Sequence, residues 1–330
     1  MKSSDIHKSF LRDEYGSVAI ITAVVVAFVM LGIAALAIDI GRQASAKNEL
    51  QNAVDAAAFA GAIELAKNGN TNVSTKATEA AQQNIVDNNS PTPTSVQIGK
   101  WVEPTFTENT TPYNAVKVTV NNHSVGSFFA PLLGISQRVS AGATAVIGPA
   151  GGMERLIPIG IQEDNYYAAL NDPSDPEYRV VTRDNFGEIG PGNWGWVDLA
   201  DAYGESASTN ERLDWIINGY PKMIYIGDEV TTDTGANLTT PARTDVHNKL
   251  TEYINNETVL FIPIICNTWS SGQSATITIR GFAPIVITEY GGQGANFWIN
   301  AHFPEGTEVG TGPIDFGGTD FGIINIALVE

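Results

Sequence analysis

The chain has 330 residues, 18 basic against 36 acidic, a net charge of -18 and a single cysteine. A body this acidic repels phosphate backbones and anionic headgroups, so nucleic acid is excluded as a partner and membrane contact is expected through apolar side chains. Cys266 has no second cysteine to pair with, and the redox compartment stays open. The acid is unevenly placed: residues 1–17 carry three basic and three acidic side chains, 18–150 seven and eight, and 151–330 eight and 25.

In chain order, the first feature is Val18 to Ile38, VAIITAVVVAFVMLGIAALAI, 21 residues without a charge. As a helix at about 1.5 Å per residue it spans roughly 31 Å, the thickness of a bilayer's hydrocarbon core. A signal peptide is the main rival, since Ala35-Leu36-Ala37 has small residues where a peptidase would cut after Ala37, but its apolar region is usually about 7 to 15 residues. An uncleaved anchor is therefore expected. Lys2, Lys8 and Arg12 before the run outnumber Arg42 and Lys47 in the twenty residues after it, which puts residues 1–17 in the cytoplasm and the body outside the cell (inner) membrane, a single-pass arrangement.

Beyond Gly41 no helix breaker occurs until Gly61, and Leu50, Ala53, Val54 and Ala57 recur at helical spacing. The spanning helix is expected to continue into water as a rod of about 50 residues. The alanine-rich stretch LQNAVDAAAFAGAIEL at 50–65 has two readings. Small side chains admit a second helix or a sheet at close range, and alanine also favours helix by propensity alone. On the first reading Leu50, Ala53, Asp55, Ala57 and Ala60 are the partner-contact candidates, for another protein or a second copy of the chain.

These residues carry a resemblance. YGSVAIITAVVV followed by LAIDIGRQASAKNELQNAVDAAAFAGA resembles the amino-terminal region of the TadG-like proteins of the Flp (tight adherence, Tad) pilus-assembly system, with Gly16, Asp39, Gly41, Arg42, Leu50, Gln51, Ala53, Asp55, Ala56, Ala57 and Ala58 at the matching places. VSAGATAVIG at 139–148 resembles the end of the same module. The resemblance implies a membrane-anchored accessory or structural component of a Tad/Flp pilus or secretion apparatus. Two departures limit it. Many longer relatives carry a von Willebrand A domain with Asp-x-Ser-x-Ser, and Asp172-Pro173-Ser174-Asp175-Pro176 lacks the second Ser; and a processed type IV pilin has Glu five residues after its cleaved glycine, where Gly16 is followed at that place by Ile21.

The rest of residues 39–149 predicts a short helix around Ser74 to Ile85, strands at Ser95 to Val102 and Ala115 to Val120, a helical turn in FFAPLLG and a strand at Arg138 to Ile147. Together they form a small α+β unit beside the rod, pilin-like by analogy. GPAGG at 148–152 is expected as a hinge. Residues 150–330 read as a β-rich, acidic domain: RLIPIGI, NWGWVDL, PKMIYIG, TVLFIPIIC, SATITIRGFAPIVITEY, ANFWINAHF and GIINIAL are strand-like, with helices at Asn210 to Asn218 and Thr244 to Asn255. The order NWGWVDL, INGY, IGDEVTTDTG, VLFIPII and IRGFAPIVI resembles the carboxy-terminal half of Tad-like proteins of no settled function. The fold class is thus α+β.

Chemistry is sparse. His7, His123, His247 and His302 stand apart, no nucleophile elbow, phosphate loop or dinucleotide fingerprint occurs, and the two Asp-Phe-Gly triplets at 315 and 320 lack the other kinase parts. Cys266 sits in an apolar strand, where burial keeps a thiol inert. No cofactor is expected and no enzyme. The one small-ligand candidate is GDEVTTDTGAN at 227–237, where Asp228, Glu229 and Asp233 could present carboxylates to calcium; a solvated turn is the alternative. The competing functional class is an anchored extracytoplasmic hydrolase whose acid pairs form no legible motif.

Overall fold

The computed structural model describes residues 4–170, 178–181, 195–232, 244–266, 276–291, 298–310 and 312–329. Helix α1, Ser4–Asn68, is one unbroken element of 65 residues, about 98 Å at the standard rise. Along Val18 to Ile38 its side chains are exposed except Ala35; from Asp39 onward one stripe turns inward, through Ala46, Leu50, Ala53, Val54, Ala57, Ala58 and Ala62. Among the described residues it is the one helix long and apolar enough to cross a bilayer.

The stripe packs on α2, Val73–Gln83, and on a sheet. Small residues make that approach possible: a Cβ on Gly61 would lie 3.0 Å from Val116 Cγ1 and 3.4 Å from both Ala77 Cβ and Val73 Cγ1. The sheet is formed by β1 (Ser95–Val102), β2 (Thr105–Glu108), β3 (Ala115–Val125) and β4 (Gln137–Pro149), joined at its far edge by two strands from the end of the chain. Val116, Val118 and Val120 alternate inward from β3 and Val139, Ala141, Ala143 and Ala145 from β4, the period of two that buries one face.

The chain then enters a second unit through the two-residue strands β5 (Gly152–Met153) and β6 (Ile161–Gln162), α3 (Glu163–Leu170), β7 (Tyr178–Val181), β8 (Val197–Asp198), α4 (Thr209–Asn218), β9 (Ile224–Tyr225), β10 (Glu229–Thr232) and α5 (Thr244–Asn255). Helix α4 starts on a reciprocal cap in which Ser208 accepts from Glu211 N–H and Glu211 accepts from Ser208 N–H. Strands β11 (Val259–Ile265), β12 (Thr276–Gly291) and β13 (Trp298–His302) complete the second sheet. Its centre is β12, antiparallel to β11, β10 and β13 along its 16 residues.

One irregularity divides the second core in two. Ile264 pairs with Gly281 but Ile265 with Ile279, so β12 holds one extra residue, Arg280, against β11. An extra residue reverses the facing of everything beyond it. Ile277, Ile279 and Phe282 accordingly enter one core, with Met153, Leu156, Val197, Leu199 and Ile224. Ala283, Ile285 and Ile287 enter the other, under Leu213 and Ile216 of α4 and Val246, Leu250 and Tyr253 of α5. Gly281 sits at the switch because the Phe321 ring occupies its side-chain space, 2.2 Å from where a Cβ would be.

The end of the chain returns to the first unit. β14 (Glu308–Val309) pairs parallel with β15 (Ile323–Val329), and β15 pairs antiparallel with β4 from Ile324↔Pro149 to Val329↔Thr144. GPAGG is consequently fastened and is no hinge. Gly151 N–H donates to Pro313 O at 2.8 Å, Asp315 N–H to Pro149 O at 2.9 Å, and the fully buried Asn325 donates from Nδ2 to Gly152 O at 3.2 Å and Pro313 O at 2.6 Å. Lys67 at the end of α1 adds an ion pair to Glu308 at 3.2 Å.

Candidate functional site

The most organised polar constellation near the apolar run lies where α1 leaves it. Asp39 occupies a place in the inward stripe, one turn after Ala35 and seven residues before Ala46, and is 2% exposed. A carboxylate there needs donors. It receives three backbone N–H groups from the loop between β3 and β4: Phe128 at 2.8 Å, Phe129 at 3.0 Å and Ala130 at 2.8 Å. These open the short 3-10 helix Ala130–Leu133, so the negative charge also meets a helix amino end.

One turn further, Arg42 Nε donates to Asp87 Oδ1 at 2.6 Å, and its guanidinium stands 5.4 Å from the centre of the Phe128 ring. Asp87 also accepts from Gly126 N–H, while its own N–H donates to Glu49 of α1 at 2.9 Å. The guanidinium lies close over Gly126, where a Cβ would stand 2.6 Å from Arg42 Nη2, so a larger residue there would have to displace it. Three side chains of one helix, Asp39, Arg42 and Glu49, thus hold the 126–130 loop and the turn at Asp87 together. Burial works to raise the Asp87 pKa, but the Arg42 guanidinium and the Gly126 N–H outweigh it and hold the carboxyl below its ordinary value. The sign follows: the stabilisation is present above the unfolded value near 3.8 and is lost as pH falls through the lower folded value. The gap in melting temperature between the natural chain and Asp87→Asn should stay constant at neutral pH and close only below about pH 3.8, as a pH series of thermal melts would read.

Of the partner-contact candidates, Leu50, Ala53 and Ala57 are fully buried against α2 and the sheet of the same chain. Asp55 and Ala60 are half-buried, Asp55 accepting from Gln51 Nε2 at 2.8 Å. Of the calcium candidates, Asp228 accepts Tyr225 N–H at 2.8 Å within its own turn and Glu229 is exposed on β10, while Asp233 lies outside the described residues, as do Asp172 to Pro176. Among the described residues no group of three His, Cys, Asp or Glu side chains is placed to hold a metal. An open cleft of about 530 Å³ behind β12 has His302, Glu257 and Glu305 among its lining residues, with Thr288 the one hydroxyl. Asp39, Arg42 and Asp87 were not singled out as a site in the sequence; the available signal was an acid at an inward helical position directly after the apolar run.

Two family models match the chain. One for TadE/G-like Flp pilus assembly covers residues 16–64, and one for Tad-like Flp pilus assembly covers 41–145. Together they cover residues 16–145, and over that stretch the chain is similar to the Tad-like Flp pilus-assembly proteins. The Tad-like region therefore runs from the apolar helix through the Asp39–Arg42 clasp to β4, and includes every residue of that clasp. It stops short of β14 and β15, which complete its sheet. No curated protein and no solved structure is similar to the chain at a significant level.

Proposed function

We propose that the chain is a membrane-anchored accessory or structural component of a Tad/Flp pilus-assembly or secretion apparatus, acting by protein contacts. The observation that carries this is α1: one helix whose first part is apolar and exposed and whose second part is the core of a Tad-like unit. On this reading Val18 to Ile38 lies in the inner membrane, residues 1–17 in the cytoplasm, and 39–149 and 150–330 outside, the acidic second unit held off the bilayer by the first. Since Leu50, Ala53 and Ala57 are taken up within the chain, contact along the rod falls to its outer side, where exposed Phe59 lies between half-buried Asp55, Ala56 and Ala60.

The test is complementation in cells lacking their own copy. The full chain should restore piliation, and a form whose Val18 to Ile38 is exchanged for a cleavable export signal should not. Asp228→Ala, Asp233→Ala and His302→Ala should each leave piliation nearly intact. Loss of function in one of these three, with folding and membrane insertion unchanged, would favour the anchored hydrolase instead.

A further inference from the structure

The β3–β4 loop held by Asp39 exposes a group of large apolar side chains: Phe128 is 65% exposed, Phe129 41% and Ile135 53%. They follow one another at the tip of a hairpin whose last pair is Val125↔Gln137. In water this arrangement loses the hydrophobic contribution of three large side chains, and the clasp keeps them there by spending a buried carboxylate and an Arg–Asp pair on their backbone. Their level along the helix is fixed by Asp39, whose oxygens are within 3.0 Å of the Phe128, Phe129 and Ala130 nitrogens. Asp39 is the first residue after the uncharged run. Ala35, four residues or about 6 Å inside that run, is its one buried residue, so the run is already covered by protein at that depth.

The charges around the tip match this position. Lys47 and Arg138 stand beside it, Lys47 donating to Ser140 O and Gln43 to Arg138 O on β4, while the Arg42 charge is paired with Asp87 and Glu49 accepts the Asp87 N–H. Asp39 and Asp87 are engaged by the loop's own donors, and the excess acid of the chain lies in residues 151–330. Exposed apolar side chains backed by basic ones are what a bilayer interface takes up, apolar groups below the headgroups and cations among them.

We infer that Phe128, Phe129 and Ile135 form a second, interfacial foot that enters the same membrane leaflet as the outer end of the Val18–Ile38 helix, fixing the tilt and height of the body. This rests on the anchoring of that helix. The test uses the full chain with Cys266→Ser, reconstituted in phosphatidylcholine/phosphatidylglycerol vesicles, with an environment-sensitive fluorophore on one introduced cysteine at a time. Val29→Cys reports the span, Phe129→Cys and Ile135→Cys the foot, and Val102→Cys, 61% exposed at the far end of β1, the distant body. Labels at 29, 129 and 135 should shift to the blue and lose intensity to brominated lipid; the label at 102 should lose intensity to aqueous iodide alone. Iodide quenching at both 129 and 135, with 29 still lipid-quenched, overturns the foot and leaves the anchor standing. Absence of lipid quenching at 29 overturns both. Protection of 129 and 135 from both quenchers, or lipid quenching that disappears on dilution to one chain per vesicle, overturns the foot in favour of a protein contact. Should a label at 129 prevent folding, the 135 label decides.

Discussion

Asp198→Ala should lower the unfolding free energy of the second unit by about 3–5 kcal/mol, the cost of breaking a buried ion pair from one side. Asp198 is buried at the end of β8 and accepts Ala200 N–H at 3.2 Å, Ala207 N–H at 3.0 Å and Arg212 Nη1 at 3.1 Å, with the two side chains 4% and 12% exposed. Burial, with the neighbouring Asp201 charge, pushes its pKa up despite these donors. Removing the carboxylate unties the start of the Leu199–Tyr203 turn, the Ala207 amide and Arg212 of α4 together. Asp198→Asn, nearly the same shape, should cost clearly less. Chemical unfolding followed by tryptophan emission checks both, since Trp196 and Trp215 flank the site and are buried or half-buried.

Leu50→Ala should cost about 2–5 kcal/mol, because Leu50 is fully buried in the first core and its cavity cannot collapse against a backbone held by neighbouring alanines. The opposite change one face-repeat later, Ala57→Leu, should cost about 1–3 kcal/mol by crowding a contact that only small side chains allow. Both should leave membrane fractionation unchanged, since neither touches Val18 to Ile38. Thermal melts in detergent read the first effect and sedimentation with membranes the second.

Local pattern gave much of the first unit. The uncharged run and the 50, 53, 54, 57 spacing mark α1, and Asn and Pro clusters bound α2, because each signal is contained in a few turns of chain. β1 and α5 have the bounds expected from alternation and from amphipathic spacing. What was not legible depends on partners far away. TITIRGFAPIVITEY is a single strand, but the facing change at Arg280 exists only relative to β11. GIINIAL reads as another strand of the β-rich segment, whereas it pairs with β4 some 180 residues earlier, as in Ala327↔Val146. β2 and α3 have too weak a pattern to stand out, TFTE being short and polar and EDNYYAAL having one buried residue.

The clasp shows the same division. Asp39 and Arg42 were visible as part of a resemblance, but their meaning required the loop that arrives nearly ninety residues later. Gly41 matches the same pattern, yet it is exposed with open space where a side chain would go, and nothing in the structure explains it.

The apolar run and the core stripe belong to one unbroken helix, Ser4–Asn68. A spin-label distance between Leu31 and Phe59, both on its exposed side and 66% and 37% accessible, tests it directly in vesicles. An unbroken helix places them 28 residues apart, about 42 Å along the axis, with a narrow distribution. A short or broad distribution, showing a bend or a joint between the span and the Tad-like unit, would contradict it.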